Sequence, residues 1–261
     1  MMLSTNLREK LPSSSELPCS DDTPVDNENQ NFIPNFLLFL LEFIWPNRQD
    51  WFFGVDMGIY HTTGLNYRVP VIPDGFLSVG VERRKGGGSR PSYVVWEENE
   101  IVPILALEIV SHTPGGEYQK KMSIYAKLGV LYYVIYNPDY WRRDKHQPFE
   151  VYRLVDGVYQ QQIGEPCWLN EIGLGMGRAV SNNGGLEREV LSWFDQQGNR
   201  YLTPEELEQE TQAKLQQTQT QLGQTQTQLG QTQTELEIER RLLQKYREKF
   251  GDLSLDATTE E

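Results

Sequence analysis

The 261-residue chain is poor in cysteine and histidine, with two and three of them, and it lacks an apolar run long enough to span a membrane. Two cysteines, one of them in a polar N-terminal stretch, exclude a disulfide framework and a cysteine-rich zinc site. The histidines, His61, His112 and His146, have no metal-ligand spacing. Positive charge is also short. There are 24 Lys+Arg against 37 Asp+Glu, a formal net charge of -13, which counts against a simple basic nucleic-acid coat protein. The most apolar stretch, FIPNFLLFLLEFIWP at 32–46, is interrupted by Glu42. A spanning helix needs roughly 20 apolar residues, so this reads as a buried helix. The first 30 residues carry no long apolar core of a secretory signal. A soluble cytoplasmic protein with no membrane contact is expected.

What charge there is lies mostly at the ends. Residues 1–30 hold two basic and six acidic groups, and residues 201–261 hold 6 and 12, so the middle section is close to neutral. Residues 1–30, rich in Ser, Pro and acids, have too little apolar surface to offset their ordering entropy and read as a disordered acidic tail. A helix is expected from about Asn35 to Phe43, stopped by Pro46. From Trp51 to Ile163 the pattern turns to strands: WFFGVDMGIYH, RVPVI, GFLSVG, YVVWEE, PILALEIV and VLYYVIYNP are rich in β-branched and aromatic residues. FEVYRLVDGVYQQQI reads as a hairpin turning at Asp156-Gly157. Between PILALEIV and VLYYVIYNP, EYQKKMSIYAKLG places Tyr118, Met122, Tyr125 and Leu128 at helical spacing before Gly129. Strand, helix, strand implies a crossover and parallel or mixed pairing. The fold class is α/β, of mixed α+β type. Residues 166–200 read as a glycine-containing closing segment.

From Thr203 to about Phe250 the chain reads as helix. Thr203 suits the cap, Pro204 the first turn, and Glu205 and Glu206 the positive end of the dipole. Leu215, Leu222, Leu229, Leu236 and Leu243 recur every seven residues. The companion positions are Thr or Gln, and Gly223 and Gly230 each cost about 1 kcal/mol of helix propensity relative to Ala. The two readings are a thin coiled coil, forming a homo-oligomer through residues 203–250, or a solvated helix without a partner.

Chemistry points first to Glu108. A carboxylate inside a buried strand costs several kcal/mol unless paired or bound to a cation. It is either an ordinary glutamate paired with an arginine or a metal ligand facing a cleft. Asp74, in VIPDGFLSV, sits in a common turn sequence but just upstream of that strand. Two such acids suffice for Mg²⁺, which takes one or two carboxylates plus water and phosphate oxygens. Lys120 and Lys121 follow on the next helix; such a pair is usually a solvated face, and because adjacent residues diverge by about 100°, only one of the two could serve a cleft, where it would offset charge on a scissile phosphate. Gly86-Gly87-Gly88 lacks a Walker lysine. The clusters Arg83-Arg84-Lys85 and Arg142-Arg143 with Lys145 read as solvated loops that could also touch a nucleic-acid backbone.

VIPDGFLSVG, PILALEIVSHTP, EYQKKMSIYAKLGVLYYVIYNP, WLNEIGLGMG and VLSWFDQQGNRYLTPEELEQE, in that order, resemble the PD-(D/E)XK nuclease superfamily, and within it the Uma-two family of restriction endonucleases. The resemblance runs from roughly Trp51 to Phe250. It implies a restriction-endonuclease-like core at 31–200, a central mixed sheet flanked by helices, then a Gln-rich helix or coiled coil at 201–250 and a tail at 251–261. It implies Mg²⁺-dependent hydrolysis of DNA, with Mn²⁺ as a substitute. Asp74 and Glu108 correspond to the two motif acids and hold the metal, and Lys121 to the catalytic lysine. The usual lysine position, two residues after Glu108, holds Val110, so Lys121 stands as a lysine that has moved to the helix. Lys120, Glu117 and Asp56 are accessory candidates, with Glu117 favoured as a helix cap, and Glu42 is a further acid upstream. The rival reading is a degenerate nuclease-like domain acting as an interaction protein through its heptad helix.

Overall fold

The computed structural model describes residues 11–19, 27–64, 66–113, 115–183 and 185–251. The chain divides into two compact units, Met1–Thr203 and Pro204–Glu261. The first is a mixed α+β body.

Its first helix, α1 (Glu28–Ile44), starts seven residues earlier than the apolar pattern suggests. The Asn27 side chain accepts the Gln30 N–H and caps it, and Pro34 is tolerated within the helix. The strands that follow are β1 (Trp51–Val55), β2 (Ile59–Tyr60), β3 (Gly75–Val79), β4 (Tyr93–Val94) and β5 (Leu105–Ile109). A turn of π-helix at Glu117–Lys121 leads into α2 (Met122–Leu128), and then come β6 (Tyr132–Tyr136) and the short α3 (Trp141–Asp144). β7 (Phe149–Val155) and β8 (Val158–Gln162) form the expected hairpin. Asp156 and Gly157 both take positive φ, as a two-residue turn of this kind requires. β9 (Cys167–Leu169), β10 (Leu174–Asn183) and β11 (Leu186–Phe194) complete the unit.

Among the described residues six strands form one sheet in the order β1-β3-β5-β6-β7-β8. Only β5 and β6 pair in parallel within it, joined by the α2 crossover. The alternation of β5 decides what each face carries. Leu105, Leu107 and Ile109 join Ile33, Leu37, Leu40 and Leu41 of α1 and Met176, Leu191 and Trp193 of the β9–β11 sheet in one core. Ala106 faces the opposite side, in a core with Tyr125 and Leu128 of α2 and Tyr133 and Ile135 of β6. Glu108 shares that α2 side. The Trp193 indole N–H donates to the Leu37 carbonyl at 3.0 Å, tying α1 to the second sheet.

Three expectations need correction. Residues 11–19 are not a loose tail: Leu17 is buried, Trp96 Nε1 donates to the Pro12 carbonyl at 2.9 Å and the Tyr60 hydroxyl to the Pro18 carbonyl at 2.7 Å. Residues 1–10 and 20–26 of that expected tail, like 252–261 of the C-terminal one, lie outside the described residues. RVPVI is not a strand, since only Val71 forms an isolated bridge, to Ile59, next to Pro70. The segment 166–200 is a three-stranded antiparallel sheet. Its glycines allow close approach: a Cβ on Gly177 would meet Pro166 Cα at 3.0 Å.

The second unit contains α4 (Pro204–Phe250), a helix of 47 residues with none buried.

Candidate active site

Three separate elements bring Asp74, Glu108 and Lys121 together. Antiparallel pairing sets Gly75 opposite Leu107, so Asp74, just before β3, comes up against the end of β5. Its Oδ2 accepts the Ile109 N–H at 2.6 Å. Its other carboxylate oxygen takes no hydrogen bond among the described residues. Gly75 permits this turn, because a Cβ there would press on Phe53 and Pro34 at 3.2–3.3 Å.

Glu108 is only 1 % exposed. Lys121 Nζ donates to its Oε2 at 2.7 Å, and the Tyr125 hydroxyl to its Oε1 at 2.6 Å. Lys121 also reaches the Ile72 carbonyl at 3.5 Å. Lys121 and Asp74 are half-buried, so solvent reaches the cluster from their side and Glu108 lies beneath. Lys120 points outward and is exposed, which settles which of the two lysines faces the acids. The partner of Glu108 is thus a lysine rather than an arginine.

The electrostatics are unbalanced. Burial raises the Asp74 carboxyl well above its ordinary value, and the Glu108 charge adds to this, while the Ile109 N–H opposes it. Burial likewise raises Glu108, against the pull of Lys121 and Tyr125. Burial alone would lower Lys121, but the Glu108 charge and hydrogen bond win and raise it. One ammonium therefore faces two carboxylates, Glu108 buried and Asp74 half-buried, leaving a site that would be stabilised by further positive charge.

The accessory candidates divide. Glu117, expected to cap, does not: the π turn has no side-chain cap, and both Glu117 oxygens accept the Gly115 N–H, at 2.9 and 3.0 Å, in the loop just before it. Asp56 is exposed, at positive φ, and donates its N–H to the Asp74 carbonyl at 3.1 Å, so it braces the loop from the backbone. Its charge also pushes Asp74 upward. Glu42 lies on α1 and is spent on Arg83, 2.6 Å away. Among the described residues no three His, Cys, Asp or Glu side chains gather as a metal cage. His146 stacks on Tyr118 at 3.6 Å and pairs with Glu150, while His61 is buried against Thr63.

The basic clusters are partly engaged within the fold, with Arg84, Arg142, Arg143 and Lys145 still exposed. Arg83 lies over Trp51, and Lys85 pairs with Glu97 and Glu98. Arg143 pairs with Asp144 and donates to the His112 and Ser111 carbonyls. Sequence reasoning missed the role of Tyr125, although its position four residues after Lys121 on one helix face was the available signal.

A family model described as "Putative restriction endonuclease", Uma2, matches residues 22–172. The chain belongs to the Uma2 family. No curated protein matches it. A crystal structure from Anabaena variabilis ATCC 29413, described as a "putative nuclease belonging to DUF820", is similar at 12% identity, covering 56% of this chain and 73% of that one, with a TM-score of 0.40. That score is too low to bear on the fold. In this Uma2 chain the family match covers Asp74, Glu108 and Lys121. No helix among the described residues is long and apolar enough to cross a membrane.

Proposed function

We propose that this Uma2 protein is an endonuclease that hydrolyses DNA phosphodiester bonds with Mg²⁺, or Mn²⁺ in its place. The observation that carries this reading is the convergence of Asp74, Glu108 and Lys121 from a turn, a central strand and a helix. The donor set suits a hard divalent cation: two carboxylates, one with an oxygen free of protein hydrogen bonds, under-compensated by one ammonium. Asp74 and Glu108 would hold the ion. Such an ion supplies Lewis-acid stabilisation of the charge that grows on the phosphate. Lys121 offers N–H donors on the solvent side of Glu108, where an attacking water can be oriented and developing charge offset. Tyr125 is a positioning residue, fixing the second oxygen of Glu108.

The degenerate-domain reading has less support, because both acids and the amine are present and adjacent. Two free cysteines, Cys19 exposed and Cys167 buried, support the cytoplasm as the compartment.

The test is cleavage of plasmid DNA with Mg²⁺ or Mn²⁺ by wild type, Asp74→Ala and Glu108→Ala, with RNA as a parallel substrate and Mg²⁺ binding followed by calorimetry. Both variants should lose at least about a hundredfold in rate. Unchanged cleavage in both removes the proposal, and cleavage of RNA alone replaces DNA as the substrate.

A further inference from the structure

The long helix carries a stripe that has no cover within its own unit. Leu215, Leu222, Leu229, Leu236 and Leu243 are 46–58 % exposed. Thr211, Thr218, Thr225 and Thr232 fall between them, so that Leu and Thr alternate every three and four residues along one seam. The Thr hydroxyls do not make this seam costly to bury. Thr211, Thr218 and Thr225 donate theirs to the carbonyls of Leu207, Lys214 and Gln221, four residues back, at 2.7–2.9 Å, which leaves their methyl groups to face outward contacts. Most of a helix's stability comes from packing an apolar face, and here none of the 47 residues is buried.

The charges of the same helix indicate what covers it. Glu205, Glu206, Glu208 and Glu210 stand at one end, followed by Lys214; 215–234 carries no charged residue; Glu235, Glu237 and Glu239 come next, and residues 240–250 hold Arg240, Arg241, Lys245, Arg247 and Lys249 against Glu248 alone. Two helices side by side in the same direction would set acids against acids and bases against bases. Reversed, each acidic end meets a basic one.

We propose that two copies of this chain pair through α4 as an antiparallel coiled coil with full overlap, Pro204 of one beside Phe250 of the other. In that register four seam pairs match large to small, Thr211 with Leu243, Thr218 with Leu236, Leu222 with Thr232 and Thr225 with Leu229, while Leu215 meets the aliphatic stem of Glu239. The Glu205–Glu210 run of each copy lies beside the Lys245–Lys249 run of its partner. The pairing rests on the helix alone and is independent of the catalytic reading.

The experiment uses the full chain with the exposed Cys19 changed to Ser. Light scattering should give twice the 30.2 kDa chain mass. Thr211→Cys alone should not cross-link to itself under oxidation, because the two thiols would stand roughly 48 Å apart. An equimolar mixture of Thr211→Cys and Leu243→Cys chains should form the mixed disulfide. Lys245→Glu/Arg247→Glu/Lys249→Glu should weaken the dimer at least tenfold, and adding Glu205→Lys/Glu206→Lys/Glu208→Lys to the same chain should restore it. A monomeric mass, self-cross-linking of Thr211→Cys, or failure of the second charge set to restore pairing would each overturn the proposal.

Discussion

Lys121 and Tyr125, one helical turn apart, divide the Glu108 carboxylate between them, the ammonium on Oε2 at 2.7 Å and the hydroxyl on Oε1 at 2.6 Å. The helix thus holds a buried acid by both oxygens, fixing its plane as well as its charge. Removing either donor leaves a buried acceptor short of a partner, which costs more than the bond itself contributes.

Tyr125→Phe isolates the hydroxyl, since the ring stays packed in its fully buried place. The variant should lose about 1–3 kcal/mol of stability. The Mg²⁺ concentration for half-maximal cleavage should rise, with maximal rate falling less, because Glu108 becomes harder to ionise and to orient. Thermal melting and a Mg²⁺ titration of cleavage check the two parts. A melting curve that does not move would mean that the hydroxyl contributes nothing to holding Glu108.

Lys121→Met leaves Glu108 buried with Tyr125 alone. The expected loss is about 2 kcal/mol, less than for a fully enclosed pair because the Lys121 side chain keeps 27% of its exposure. Cleavage should fall at least about a hundredfold. Adding Glu108→Gln should recover most of the stability, since the unpaired charge is gone, without recovering cleavage. Lys120→Ala, on the exposed neighbour, should leave both within about twofold. A double variant as unstable as the single one would show that Lys121 matters for its packing and not for its charge.

The acids also set a pH dependence. Asp74 and Glu108 have ordinary values of 3.8 and 4.5, and in the folded chain burial, first of all, raises both. The folded state then binds more protons than the unfolded one above those values, so their contribution to stability is full below them and is lost as pH rises through the raised values. Asp144, held below its ordinary value by the Arg143 hydrogen bond, tilts the curve the other way. The readout is therefore the difference between wild type and Asp74→Asn in EDTA. Asn keeps an acceptor for the Ile109 N–H and carries no charge, so the variant should gain on wild type progressively as pH rises above the ordinary Asp74 value of 3.8. A difference that stays flat as pH rises would mean Asp74 titrates normally.

These relationships were unequally visible in the amino-acid order. The alternation of LALEI put Glu108 on the face opposite Leu105 and Leu107, and helical spacing put Lys121 and Tyr125 together, because both depend only on local periodicity. Packing of residues 11–19 depends on something else: carbonyls of Pro12 and Pro18 receiving Trp96 and Tyr60, partners more than forty residues away, in a stretch whose apolar content is low. The β9–β11 sheet was obscured by Gly175 and Gly177, which weaken a strand pattern while permitting close backbone contact. The basic clusters read as solvated loops, and Arg84, Arg142 and Lys145 are exposed; what the sequence could not show is that Arg83, Lys85 and Arg143 have acids or carbonyls within reach that only the fold supplies.

Arg143 offers the last prediction. It donates to the His112 carbonyl at 2.7 Å and to the Ser111 carbonyl at 3.4 Å, holding the loop that leaves β5 after Glu108 and returns toward Lys121. Its own side chain is 38% exposed, so Arg143→Ala should cost less than about 1 kcal/mol. Cleavage should nevertheless fall roughly tenfold, because small displacements between reacting groups are expensive in rate. Hydrogen exchange at the amides of 111–113 should speed up, and Arg143→Lys, which keeps the charge without the planar fork, should behave more like Ala than like wild type. A direct phosphate contact makes the opposite set of predictions: unchanged exchange, substantial rescue by Lys, and a shallower salt dependence of DNA binding in the Ala variant. Measuring exchange and salt dependence on the same three proteins therefore decides whether Arg143 acts on the loop or on the substrate.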